Sequence, residues 1–149
     1  MGKLVYIAAP LFNEMEWNRN LYVKKLVEDM GFEVHLPQDK AGRFSDLSKN
    51  TKNTVKLRKT IFNNDLEGVK NCDIILCLLD GRVPDEGTCV ELGMSYVLGK
   101  KCVGFKTDIR SMDRQGYDNI MITESIGQNM AESEEELVKI LTSIKNEVE

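Results

Sequence analysis

The chain has 149 residues, 42% of them apolar and 30% charged, with 20 basic against 24 acidic side chains and a net charge of −4. A length and composition of this kind mean one globular domain over residues 1–149 and exclude collagen-like, low-complexity and disordered classes. No run approaches the about 18 apolar residues of a membrane span, and no basic tract offers the concentrated positive surface that nucleic acid or an anionic membrane needs.

Leu4 to Ala8 is a short apolar run before Ala9-Pro10; it predicts a buried strand and is too short for a signal peptide. A helix follows from about Glu14 to Met30, with Trp17, Tyr22, Val23, Leu26, Val27 and Met30 at a 3.6-residue period and Gly31 as its stop. Phe32 to Leu36 predicts a second strand, in which His35 has a structural or surface place. Pro37 to Asn53 reads as a long polar loop, and Thr54 to Lys70 as a second helix. Asp73 to Leu79 is one Asp followed by six apolar residues, the pattern of a central strand buried on both faces. Asp80 to Pro84 leads into a third helix from Asp85 to Leu98, ended by Gly99. Cys102 to Phe105 predicts a fourth strand, Asp108 to Gly116 an irregular segment, and Asn119 to Ile122 a short fifth strand. Ser133 to Val148 is an amphipathic helix opened by a Ser133/Glu136 capping box. Alternating strands and helices predict an α/β, doubly wound, flavodoxin-like fold, a parallel five-stranded sheet flanked by helices. Ligands of such folds bind outside the carboxyl ends of the strands.

Nucleophile–base–acid triads and metal centres both lack ligands here: His35 is the one histidine, and Cys72, Cys77, Cys89 and Cys102 form no CxxC pair. The cysteines read as reduced thiols of a cytoplasmic protein, and no metal or cofactor is expected. The turn after Ala8 contains no glycine, so a dinucleotide loop is missing, and Gly93 to Lys100 fails the P-loop spacing. A fold without a phosphate cradle points to a neutral or cationic small ligand.

Three acids stand in unusual places. Asp65 interrupts the apolar stripe Ile61, Phe62, Leu66, Val69, where a carboxylate is either tied to a partner or held as an acid of raised pKa. Glu91 lies between Val90 and Leu92, one turn after Gly87, whose missing side chain leaves room for a ligand; the alternative is a solvated helix face. Asp85 caps the start of the same helix or grips a ligand hydroxyl. Two carboxylates of different environment, without metal or His, suit displacement at an acetal-like carbon: one attacks, the other protonates the leaving group. The product is a glycosyl transfer or a hydrolysis.

These residues resemble a family, the nucleoside 2-deoxyribosyltransferases. Asp85-Glu86-Gly87-Thr88-Cys89-Val90-Glu91-Leu92-Gly93 is similar to its D-x-G-x-x-x-E-x-G nucleophile segment, and Asn63-Asn64-Asp65-Leu66-Glu67-Gly68 to its N-N-D-L-x-G helix. Val5 to Phe12 resembles its first strand and loop, and Asn119-Ile120-Met121 its N-x-M element. The resemblance implies that Glu91 attacks C1′ of a 2′-deoxyribonucleoside and holds a covalent ester. Asp65 would protonate the departing base and deprotonate the incoming one, Tyr6 would orient Glu91, and Asp85 would bind a sugar hydroxyl. Asn119 and Met121 would reach into a neighbouring subunit's site, which implies a homo-oligomer, dimer or hexamer, with shared active sites. Gln38 and Asp39 stand where base-contacting residues lie, and Phe12 and Trp17 are candidates for an aromatic wall, with core packing an equal reading of Trp17. The partners implied are 2′-deoxyribonucleosides and free purine or pyrimidine bases, in nucleoside salvage. Two alternatives stay open: a hydrolase (N-glycosidase) of deoxynucleoside 5′-monophosphates, and a non-catalytic nucleoside-binding domain.

Overall fold

A computed structural model describes residues 2–41, 44–110 and 118–147. Among them the elements run β1 (Leu4–Ala8), α1 (Glu14–Asp29), β2 (Glu33–His35), α2 (Pro37–Ala41), α3 (Phe44–Lys49), α4 (Thr54–Asn71), β3 (Ile74–Leu78), α5 (Glu86–Val97), β4 (Lys101–Phe105), α6 (Ile120–Ile126), β5 (Met130–Ala131) and α7 (Glu134–Asn146). The strands form one parallel sheet in the order β2-β1-β3-β4-β5. That is the flavodoxin-like order, with its switch point between β1 and β3.

Both faces of the sheet are covered, which is why the central strands are apolar throughout. Side chains alternate across a strand. Val5, Ile7, Ile74, Leu76 and Leu78 therefore pack with Val23 and Val27 of α1 and with Leu137, Leu141 and Ile144 of α7. Tyr6, Ala8, Ile75 and Cys77 face the other way, onto Val69 of α4, Leu92 of α5 and Ile122 and Ile126 of α6. The α4/α5/α6 layer carries the candidate site. Cys72, Cys77 and Cys102 are buried in this half or at its edge, and all four cysteines are free.

Helix stops follow local chemistry. Gly31, just beyond α1, takes φ +83, a conformation that closes a helix and that L side chains rarely adopt. Ser133 caps α7 by accepting from the Glu136 N–H, while the Glu136 carboxylate accepts from the Glu132 N–H rather than from Ser133 itself.

Two expected elements are corrected. The segment 37–53 is not a plain loop: it contains α2 and α3, with residues 42–43 outside the described ones. Pro37, at the first position of α2, has the φ a helix needs and no N–H to leave unpaired. Asn119–Ile122 is not a strand. Asn119 caps α6, its Oδ1 accepting from the Met121 N–H at 2.9 Å, and the fifth strand is Met130–Ala131. Of the segment 108–116, Asp108 to Arg110 carry no helix or strand, and 111–116 lie outside the described residues.

Candidate active site

The site is assembled by three elements of one layer. Strand alternation turns Tyr6 of β1 toward α4 and α5, where it is fully buried, and its hydroxyl donates to Glu91 Oε1 at 2.9 Å. Glu91 sits in the second turn of α5. Asp65 projects from α4 into the same cavity, of about 260 Å³, whose wall is otherwise Phe62, Leu66, Val69, Gly87, Val90 and Met94. Two carboxyl groups thus share an apolar pocket with no cation among its described lining residues.

The electrostatics follow from that burial. Desolvation raises the Asp65 carboxyl to about 6. Glu91 is raised further, to about 8: burial dominates, the charges of Asp65 and Asp85 add to it, and the Tyr6 hydrogen bond opposes it. Tyr6 is pushed well above the usual phenol range by burial and then by Glu91 and Asp65, so it remains a donor at any working pH. In the free protein both carboxyls are therefore held above the ordinary range, and they titrate as a pair.

The start of α5 shapes the pocket's mouth. Asp85 caps the helix, its Oδ2 accepting from the Thr88 N–H at 2.8 Å and the Thr88 hydroxyl at 3.2 Å. A Cβ on Gly87 would meet only that same Oδ2, at 3.1 Å, so the space one turn before Glu91 is open.

Glu91, Asp65, Tyr6, Gly87 and Asp85 are thus brought together on and beside one cavity. The other candidates lie elsewhere in this chain. Gln38 is buried against α1, its Oε1 accepting from Asn20 Nδ2 and its Nε2 donating to the Trp17 carbonyl. Asp39 accepts from Lys24 at 2.6 Å. Phe12 is 75% exposed, and the Trp17 indole donates to the Leu11 carbonyl. Asn119 and Met121 stand at the outer start of α6, with Met121 75% exposed. Sequence reasoning placed Phe62 in the core stripe, yet it is half exposed and lines the cavity; its position one turn before Asp65 was the available signal.

A larger cavity, of about 610 Å³, lies on the opposite side of the strand ends against α1. Both of its arginines are paired: Arg19 with Asp80, also stacking over Phe105, and Arg110 with Asp108. Asp108 is held far below the ordinary carboxyl range by Arg110. The two carboxyls raised by burial line the smaller cavity. Among the described residues no group of three or more His, Cys, Asp or Glu could hold a metal ion, and no helix is long and apolar enough to cross a membrane.

Comparison with known proteins points to one family. A family model described as nucleoside 2-deoxyribosyltransferase matches residues 5–139. A nucleoside deoxyribosyltransferase of Limosilactobacillus fermentum is 28% identical over 136 residues, covering 82% of this chain and 75% of the relative. The structure of a 2-deoxyribosyltransferase from Bacillus psychrosaccharolyticus superposes with a TM-score of 0.68 at 26% identity, covering 97% of this chain and 92% of the other. A CMP N-glycosidase from Clostridium botulinum, 23% identical, shares the fold with a TM-score of 0.55 over 95% of this chain and 99% of its own.

Proposed function

The chain belongs to the nucleoside 2-deoxyribosyltransferase family, and on that premise we propose that it exchanges the base of a 2′-deoxyribonucleoside by double displacement at Glu91. The observation that carries this reading is the Tyr6–Glu91 hydrogen bond, made to an acid that lines the same cavity as Asp65.

In the first step the Glu91 carboxylate attacks C1′. The C1′–N bond breaks, Asp65 gives its proton to the departing base, and a deoxyribosyl ester forms on Glu91. In the second step an incoming base attacks C1′. Asp65 takes that base's proton, and the ester C1′–O bond breaks to return the Glu91 carboxylate. The Tyr6 donor favours the charged form of Glu91, and an electropositive C1′ against it does so further. A base nitrogen accepting from Asp65 draws the shared proton there, so substrate sets Glu91 as the ionised partner and Asp65 as the acid. Two inversions retain the β configuration. An attacking carboxylate close to C2′ leaves little room for a 2′-hydroxyl, which favours deoxyribonucleosides. Asp85 binds a sugar hydroxyl in this scheme, with Oδ1 available because both cap bonds use Oδ2.

The cavity lining favours free nucleosides over 5′-monophosphates, because it sets two carboxyl groups and no cation beside the sugar. Exposed Val90, Val97, Ile120 and Met121 on α5 and α6 support a homo-oligomer, dimer or hexamer, in which Asn119 and Met121 enter a neighbour's site. Free thiols suit the reducing cytoplasm, where nucleoside salvage takes place.

The test incubates the protein with a 2′-deoxynucleoside and a different free base, and separately with a deoxynucleoside 5′-monophosphate, then separates the products. A new β-nucleoside, with slow loss of base when no acceptor is present, supports the transferase. Release of base and sugar phosphate alone means an N-glycosidase. No turnover of either donor overturns both.

A further inference from the structure

We propose that Gly68 and His35 are positioning residues for the reaction: they form the slot that holds the Tyr6 ring where its hydroxyl reaches Glu91. The proposal rests on the reading of Glu91 as the nucleophile, and its geometry comes from three elements that meet at one ring.

Tyr6 is paired in register with His35 across β1 and β2. The two rings stack with centroids 5.0 Å apart and planes 24° from parallel. Burial, with Lys40 nearby, lowers the His35 imidazole below its ordinary range, so near pH 7 it presents a neutral flat face. On the helix side the same two rings meet the backbone of α4 at Gly68. A Cβ placed there would lie 2.7 Å from Tyr6 Cε2 and 2.9 Å from both Cε1 and Nε2 of His35. Contacts that short do not occur, so any side chain at 68 must displace the rings.

Backbone conformation does not require this glycine. Gly68 is inside α4 and is not among the residues of positive φ. A glycine in a helix interior costs about 1 kcal/mol relative to alanine, and the close approach of the rings is what offsets that cost here. The contact also falls at a sensitive point. Cε2 is bonded to the ring carbon that carries the hydroxyl, so pressure on it swings the oxygen that lies 2.9 Å from Glu91. Gly68 closes the slot from α4 and His35 from β2. Neither touches the nucleophile; both act through Tyr6.

The test compares Gly68→Ala, His35→Ala and Tyr6→Phe with the unaltered protein by thermal melting, kcat, KM and the pH profile. The ionisable groups that face Glu91 are Tyr6 from β1, Cys77 from β3, Asp65 from α4 and Asp85 from its own helix. Gly68→Ala is expected to stay folded and to lose about tenfold to a hundredfold in kcat, the size of a displaced hydrogen bond to a charged group, with KM changed by less than about twofold. The upper limb of the profile moves to higher pH, since the displaced phenol no longer stabilises the Glu91 carboxylate. Added to Tyr6→Phe, Gly68→Ala costs nothing further in kcat, because the hydroxyl it displaces is already gone. His35→Ala moves kcat and the limb in the same direction and stands in if Gly68→Ala does not fold. Wild-type kcat and profile in both variants, or an equal loss with and without the Tyr6 hydroxyl, overturns the proposal. Glu91→Gln, assayed alongside, separates the failures. Full turnover of that variant overturns the nucleophile itself, whereas its inactivity together with unperturbed Gly68→Ala and His35→Ala overturns only the slot.

Discussion

Glu91 is held between two opposing demands: its apolar surroundings disfavour its charge, while the Tyr6 hydroxyl is aimed to support it. The conflict is a stability cost with a definite sign. The ordinary carboxyl value of 4.5 is raised in the fold to about 8. Below the lower value both folded and unfolded chains hold the proton, so Glu91→Gln changes little. As pH rises through the window, the unfolded chain releases its proton while the folded one keeps it, and unfolding gains. Glu91→Gln is therefore expected to raise the melting temperature near about pH 9 and to leave it unchanged near about pH 4. A loss of stability near the higher pH would mean that the charged form is favoured in the fold. Activity follows from the same pair. With both carboxyls protonated there is no nucleophile, and with both ionised there is no acid. The rate should peak between the about 6 of Asp65 and the about 8 of Glu91, and its two limbs belong to the pair rather than to either residue. Asp65→Asn removes the proton donor while keeping shape. It should slow donors whose base needs protonation to leave by about 100-fold or more, and affect an activated leaving group much less. Equal losses with both donors would make Asp65 structural.

Helix α5 carries two functions in its first two turns, and substitutions at Asp85 can separate them. Asparagine caps a helix about as well as aspartate. Asp85→Asn should therefore keep the denaturation midpoint while raising KM for the nucleoside, whereas Asp85→Ala should also cost about 1 kcal/mol of stability. An unchanged KM in both variants would leave Asp85 only its cap. The same helix was legible in advance because its information is local. Gly87 and Glu91 are one turn apart, and Asp65 interrupts a stripe of period 3.6, so helical spacing alone places each acid. The apolar runs of β1 and β3 were legible for a similar reason: burial on both faces leaves no polar residue in them. What failed depended on a cap that competes with strand propensity and on non-local pairing. Asn119–Ile122 is apolar and short enough for either structure, and only the Asn119 cap turns it helical. Met130–Ala131 is two residues long and owes its strand character to β4 beside it. The contact of Tyr6 with Glu91 spans 85 positions and was inferred from resemblance alone. The slot of His35 and Gly68 exists only once the β1–β2 register is known.

At the scale of the molecule, the cavity between α4 and α5 opens beside a surface that one chain leaves uncovered. Val90, at the cavity wall, and Val97, 84% exposed, lie seven residues apart on α5, with Gly93 on the same side free of any atom within 4 Å of its Cβ position. Ile120 and Met121 extend this apolar surface onto α6. A second copy seated there would bury the stripe, and in the arrangement proposed for Asn119 and Met121 its α6 terminus reaches toward Glu91. Such a shared site has a consequence that a self-contained one lacks. Subunits carrying Glu91→Ala and subunits carrying Met121→Ala are each expected to be nearly inactive. The second substitution spares the Asn119 cap, which uses the Met121 backbone N–H rather than its side chain. When the two are dissociated, mixed in equal amounts and reassembled, about half the pairs are mixed. In an isologous pair each mixed dimer holds one doubly damaged pocket and one intact pocket, so about a quarter of wild-type activity should return. Mass measurement confirms that mixed oligomers have formed. If they have formed and activity stays at the parental level, each pocket is built within a single chain, and Met121 does not act across the interface.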